Sequence, residues 1–329
     1  MNGDSSATPR QPSALSPSGL GWGLVGITAF SFTVPFTRAA THHGLSALFV
    51  GSSRAVVAAA LAVVALLVTR QRRPTTLQWA RLGVVAAGVV VGFPLLTSYA
   101  LLTVPVSHAA IVVGLLPVAT AVMAVLRGRE RVPGSFWVFA ALGALAVTAF
   151  TALQNGGLGS LHWADLLLFG AVLAAAVGYA EGGLLSRELG AWQTVSWALV
   201  LCAPLMMLLT VLSVTQAPPS GTPAQWLAFA YLCVVSMYLG FFAWYRGLAI
   251  GPMARVSQVQ LVQPVLSIAW AALLLGEHVT WQTVAGGLAV MSCARLAVAA
   301  RLGERDRVAP GSARDQHAES ASVQDLARS

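Results

Sequence analysis

Apolar runs separated by polar breaks divide the chain into ten stretches, at about 20–40, 45–69, 82–102, 107–126 and 136–153, then 163–185, 194–214, 226–249, 256–275 and 280–300. At 1.5 Å per residue, about 20 apolar residues cross a bilayer core as a helix. The pattern therefore predicts an all-α membrane protein with ten transmembrane helices. A Gly-rich break from Gln154 to Ser160 separates two sets of five. The expected organisation is a disordered cytoplasmic tail over 1–19, a first five-helix unit over 20–153, a linker over 154–162, a second unit over 163–300 and a disordered cytoplasmic tail over 301–329. Both tails are polar without apolar periodicity, which is why they read as disorder.

The two sets repeat one layout. Pro117 and Glu130 stand 13 residues apart, as do Pro264 and Glu277, and an offset of 147 carries the first pair onto the second and Pro105 onto Pro252. An internal duplication with an odd number of helices per unit makes the second unit enter the membrane upside down. The loop charges agree. Glu130 lies beside Arg127, Arg129 and Arg131, whereas the matching turn has Glu277 and His278 and no arginine; conversely Pro105 lies in an uncharged loop and Pro252 between Arg246 and Arg255. With a cytoplasmic N-terminus, sixteen of the nineteen arginines fall on the inner side, so both termini are expected inside.

Composition sharpens this picture. A chain of 329 residues that is 57% hydrophobic and 9% charged, with mean hydropathy +0.75, carries more apolar material than one soluble core buries. All its basic residues are arginine; in a membrane chain they read as topology determinants, and no nucleic-acid partner is expected. The first apolar run lacks a basic n-region and a small-residue cleavage site, so no signal peptide is expected. Cys202, Cys233 and Cys293 sit within apolar runs, without metal-ligand or disulfide spacing. The fragment GWGLVG at 21–26 matches a dinucleotide fingerprint formally, but it opens a span and follows no strand, so it reads as a smooth packing face. No P-loop, HExxH motif or nucleophile elbow is present, and neither a cofactor, a metal nor an enzymatic activity is expected.

Two stretches, PVLSIAWAALLLGEHVTWQTVAGGLAVMSCARLAV and WGLVGITAFSFTVPFTRAA, resemble the EamA-type transporters of the drug/metabolite transporter superfamily, over roughly 20–300. In both repeats a proline-centred helix, an acidic turn and a small-residue last helix carry the resemblance. The first repeat departs from it with Arg129 where a glycine precedes the glutamate. The resemblance implies inverted repeats around a central cavity and transport of small solutes, usually export of amino acids or other metabolites.

Prolines within helices free the carbonyl four residues earlier. Pro117 frees that of Val113 and Pro264 that of Gln260; Pro35 raises the same question on helix 1. Each break either faces a cavity or only shapes packing. Gln260, Gln263, Ser267 and Trp270 follow i, i+3, i+7, i+10 spacing and form one stripe, while the equivalent positions of helix 4 are Val113, Leu116, Thr120 and Met123. The stripe either lines a substrate cavity or holds helices together by hydrogen bonds. Tyr99, Tyr179 and Trp244 are candidates for an aromatic lining or for the interfacial belt.

Ionisable residues within spans are costly and attract functional readings. Arg54 would pair inward, bind an anionic substrate or snorkel outward; Glu181 would carry a coupling proton or pair with Arg187; His108 would be a titratable gate or an interfacial residue. The sequence thus points to a secondary transporter in the inner or plasma membrane, exporting a small metabolite such as an amino acid by alternating access. Efflux of toxic or hydrophobic compounds, uptake, and a non-transporting membrane sensor are the alternatives. Its expected partners are the lipid bilayer and a small-molecule substrate; a homodimer is left open.

Overall fold

The computed structural model describes residues 17–128, 133–154, 162–250, 256 and 258–300. Among these residues there are helices and no strand. Eight helices are long and apolar enough to cross a membrane: α1 (Gly19–Thr41), α2 (Ala47–Val68), α3 (Thr76–Ala100), α4 (Val106–Arg127), α6 (Trp163–Leu189), α7 (Ala191–Gln216), α8 (Pro223–Ile250) and α10 (Trp281–Ala300). Two shorter apolar helices accompany them, Gly134–Phe150, the apolar part of α5 (Gly134–Gln154), and α9 (Val259–Leu275). Residues 1–16 and 301–329 of the expected tails, most of the linker, and Arg129, Glu130, Pro252 and Arg255 lie outside the described residues, while Pro17–Gly19, expected in the first tail, are helical. Leu67, Val68, Leu208, Leu227 and Leu273 point outward from four helices, as a lipid-facing surface requires.

Local chemistry sets the helix ends. Helix α3 starts six residues before its apolar run, because Thr75 and Gln78 form a capping box. Helix α9 ends on Gly276, whose φ of 65° is the left-handed conformation glycine adopts freely. The turn that follows aims Glu277 at the start of α4, where its carboxylate oxygens accept from the Val106 and Ser107 amides at 2.8 and 3.0 Å. Carboxylate at a helix N-terminus satisfies orphan amides and meets the positive end of the dipole.

Irregular backbone recurs at matching positions of the two halves. The proline helices break alike: α4 divides into Val106–Val113 and Leu116–Gly128, and α9 opens with a 3-10 turn at Gln258–Leu261 before Val262–Leu275. The two breaks approach each other, since a Cβ on Gly114 would lie 3.3 Å from Pro264 Cγ. Both α3 and α8 contain π-helical turns, Ala86–Gly92 and Leu232–Leu239. The breaks of α4 and α9 follow from their prolines, and Pro94 follows the π turn of α3. No proline lies in the π turn of α8.

Packing pairs the halves reciprocally. Helix α1 lies on α8 and α3 on α6, while α2 lies on α7 and α4 on α9. Glycines permit the closest approaches: a Cβ on Gly26 would meet the Trp244 amide nitrogen at 2.8 Å, and one on Gly88 would collide with the Ala174 carbonyl oxygen. The GWGLVG face is thus partly a packing surface. A satellite core joins α5, α10 and the second half of α4 through Phe136, Val118, Val125, Ala294 and Val298.

Candidate functional site

The aligned breaks frame a narrow cavity of about 20 Å³, room for about one water molecule. It is lined by Phe30 and Thr33 of α1, Arg54 of α2, and Val89, Phe93 and Pro94 of α3 on one side. Ala175 and Tyr179 of α6, Ser236, Met237 and Phe241 of α8, and Gln263 of α9 close the other. Several of these residues sit where the helices are irregular. Val89 and Ser236 occupy equivalent positions of the two π turns, and π turns re-aim side chains relative to a regular helix.

The wall is chiefly aromatic. Phe30 meets Phe241 at 4.8 Å between ring centroids and Tyr179 at 6.3 Å, and Trp244 packs behind Tyr179 at 5.7 Å. Polar groups are few. Thr33 and Ser236 share a 2.7 Å hydrogen bond across the interface between α1 and α8. Arg54 is 1% exposed, and its Nε and Nη2 have no hydrogen-bond partner. No aspartate or glutamate lines the cavity, and none of the ion pairs among the described residues involves Arg54. Neither outward snorkelling nor pairing with an acid is what the structure gives this side chain.

The polar stripe of α9 divides. Gln263 lines the cavity. Ser267 Oγ donates to the Ser31 carbonyl at 2.8 Å, and Trp270 Nε1 donates to Ser31 Oγ at 3.0 Å. Their target has a cause: Pro35 cannot supply the amide that the Ser31 carbonyl would otherwise accept, and α1 breaks at Phe32. Two members of the stripe therefore fasten α9 to α1. Gln260 is buried, and neither end of its amide has a partner.

The remaining candidates are dispersed. Tyr179 lines the cavity, and fully buried Trp244 supports it from behind. Tyr99 is 37% exposed and borders a separate outer groove with His43, Ser46 and Leu102. Glu181 is bound by Arg81 of α3 and by Arg127 of α4, the latter at 2.7 Å; Arg81 also holds Glu188. Arg187, the expected partner of Glu181, instead reaches the Leu248 carbonyl at 3.5 Å. His108 is 3% exposed, and its Nε2 lies 2.7 Å from Oδ1 of fully buried Asp165. Asp165 Oδ2 accepts from the His162 amide at 3.1 Å.

Sequence reasoning passed over Thr33, Ser236, Phe30 and Phe241, and the arginines that hold Glu181. Ser236 had a signal, being the one serine in the apolar run LCVVSMYL, and Thr33 had another in its place two residues before Pro35. No metal-binding group of three or more His, Cys, Asp or Glu occurs among the described residues.

Comparison with known proteins adds independent findings. The EamA-like transporter family matches the chain twice, at residues 17–152 and 162–298. The uncharacterized transporter YdeK of Bacillus subtilis (strain 168) is 45% identical over 276 residues, covering 83% of this chain and 95% of that protein. A crystal structure of a protein 19% identical in sequence superposes with a TM-score of 0.59, over 87% of this chain and 98% of the other, a likeness that concerns the fold alone.

Proposed function

The chain belongs to the EamA-like transporter family, and from that premise we propose that it exports a small metabolite, such as an amino acid, by alternating access. It is a multi-pass membrane transporter with a small-molecule substrate. The supporting observation is the cavity between the two matched repeats, to which α1, α2 and α3 of the first and α6, α8 and α9 of the second contribute. A site shared by two halves that repack against each other is what alternating access needs.

In this reading ten helices cross the membrane as two inverted repeats, with both termini cytoplasmic in the inner or plasma membrane. Tyr179 and Gln263 contact the solute, Trp244 backs the wall, and Pro35, Pro117 and Pro264 place the breaks about which the halves rock. Polar ties bind the repeats at both ends of the cavity. Glu181 with Arg81 and Arg127 forms one tie; Glu277 on α4 and the His108–Asp165 pair form the other. The aromatic wall also favours a second reading, efflux of hydrophobic compounds.

Counterflow in proteoliposomes tests both. Vesicles loaded with a pooled metabolite extract should accumulate a labelled member of that pool, and protein-free vesicles should not. Intact reconstituted protein that exchanges no metabolite but clears hydrophobic dyes would replace the first reading by the second, and no flux of either kind would remove both.

A further inference from the structure

We infer that the cavity, widened when the two repeats part, takes a small monocarboxylate, with its carboxylate on the Arg54 guanidinium and its apolar body against Phe30, Tyr179 and Phe241. This rests on the transporter reading and names a substrate class for the same site. Arg54 lines the cavity, is 1% exposed, and has two guanidinium nitrogens without a partner. A buried cation is expensive unless paired. A lysine could escape that cost by losing its proton, whereas a guanidinium stays charged. The compensating anion is therefore to be sought outside the described side chains, because no carboxylate lines the cavity and no ion pair among them reaches Arg54.

The rest of the wall narrows the anion. A planar carboxylate matches the guanidinium fork with two parallel hydrogen bonds. Thr33, Ser236, Gln263 and the Tyr179 phenol are the remaining hydrogen-bonding side chains at the wall, and the first two already bond each other. One arginine and so few donors suit a single negative charge better than a phosphate dianion. Phe30, Tyr179 and Phe241, packed on one another at 4.8 to 6.3 Å between ring centroids, give the same wall an apolar surface. An added ammonium would find ring faces but no carboxylate, so the site ranks a monoanion above a zwitterion and a zwitterion above a cation.

The test uses three probes with one ring body: phenylacetate, phenylacetamide and phenethylamine, with inorganic phosphate as a fourth. Binding to the purified full chain in detergent is measured by calorimetry, apart from any flux assay. Phenylacetate is expected to bind saturably and at least about tenfold tighter than the amide, the value of one charge-assisted hydrogen bond, with the amine weakest. In Arg54→Met the preference for acid over amide should fall to about one. Arg54→Lys keeps the charge without the fork and should narrow the ratio without removing it, which tests the proposal even where the methionine variant does not fold. Absent binding of phenylacetate, equal binding of acid and amide to the wild type, tighter binding of phosphate, or an acid preference that survives Arg54→Met overturns the carboxylate assignment. Failure of counterflow with acid-selective binding intact would instead count against transport and leave the binding site standing.

Discussion

Ser31 shows how one residue turns a break in a helix into a contact between helices. Pro35 removes its backbone donor, and Ser267 and Trp270 arrive from α9 to serve the carbonyl and the hydroxyl. Ser267→Ala would leave a buried carbonyl unserved, so thermal unfolding in detergent should show a loss of about 1–3 kcal/mol. Gln260 is the contrast on the same stripe, a buried amide with no partner. Replacing such a group by an apolar one of similar shape removes a desolvation cost, so Gln260→Leu should leave the melting temperature unchanged or raise it. A clear drop would mean that this amide has a partner the structure does not reveal. Spacing alone placed Gln260, Gln263, Ser267 and Trp270 on one face of a regular helix, whereas Gln260 lies in the 3-10 turn that precedes it. It could not apportion them, because the break at Phe32 that claims two of the four lies more than 200 residues away.

Elements repeat that lesson at greater length. The proline breaks of α4 and α9 were legible, because proline acts on its own helix. The π turn of α8 was not, since Leu232–Leu239 reads as an ordinary apolar run without proline. With it went the cavity positions Ser236 and Met237. Ion pairs fared likewise. Glu181 and Arg187 are close in sequence, yet six residues on a helix turn the side chains to different faces. The true partners, Arg81 and Arg127, come from α3 and α4 of the other repeat, so this network clamps α6 to the first repeat. Glu181 is 3% exposed while Arg81 and Arg127 are 18% and 55% exposed, which places the tie at the edge of the buried region. Glu181→Gln should therefore cost roughly 2 kcal/mol, less than breaking a fully buried pair. It should also bias the transporter toward opening at that end. A cysteine introduced at Ala175, on the cavity wall, would then react faster with a maleimide supplied from the side of Arg127. Unchanged reactivity together with unchanged melting would show that the network does not hold the two repeats together.

At the scale of the molecule, the pairing of α1 with α8 and of α3 with α6 is one arrangement seen twice, because exchanging the repeats converts the first pair into the second. The pairs α2 with α7 and α4 with α9 convert into themselves. Such reciprocity is what a two-fold relation between repeats produces, and a repeat with an odd number of crossings makes that relation an inversion across the bilayer. The proposed inversion has a measurable consequence at equivalent loops. Thr76 opens α3, and exposed Ser220, just before α8, lies within a few residues of its counterpart under the offset of 147. Were the repeats parallel, these positions would face the same side; inverted, they face opposite sides. In a background with Cys202, Cys233 and Cys293 replaced by alanine, an impermeant maleimide on intact cells should label Ser220→Cys and also His278→Cys in the α9–α10 turn. Thr76→Cys should label only after the membrane is opened, since the proposed orientation puts the nearby Arg70, Arg72 and Arg73 on the cytoplasmic side. Labelling of Thr76→Cys and Ser220→Cys from one side would refute the inversion, and with it an alternating access that swaps the conformations of two mirror-placed halves. Labelling on opposite sides but with the senses exchanged would keep the inversion and reverse the placement of both termini.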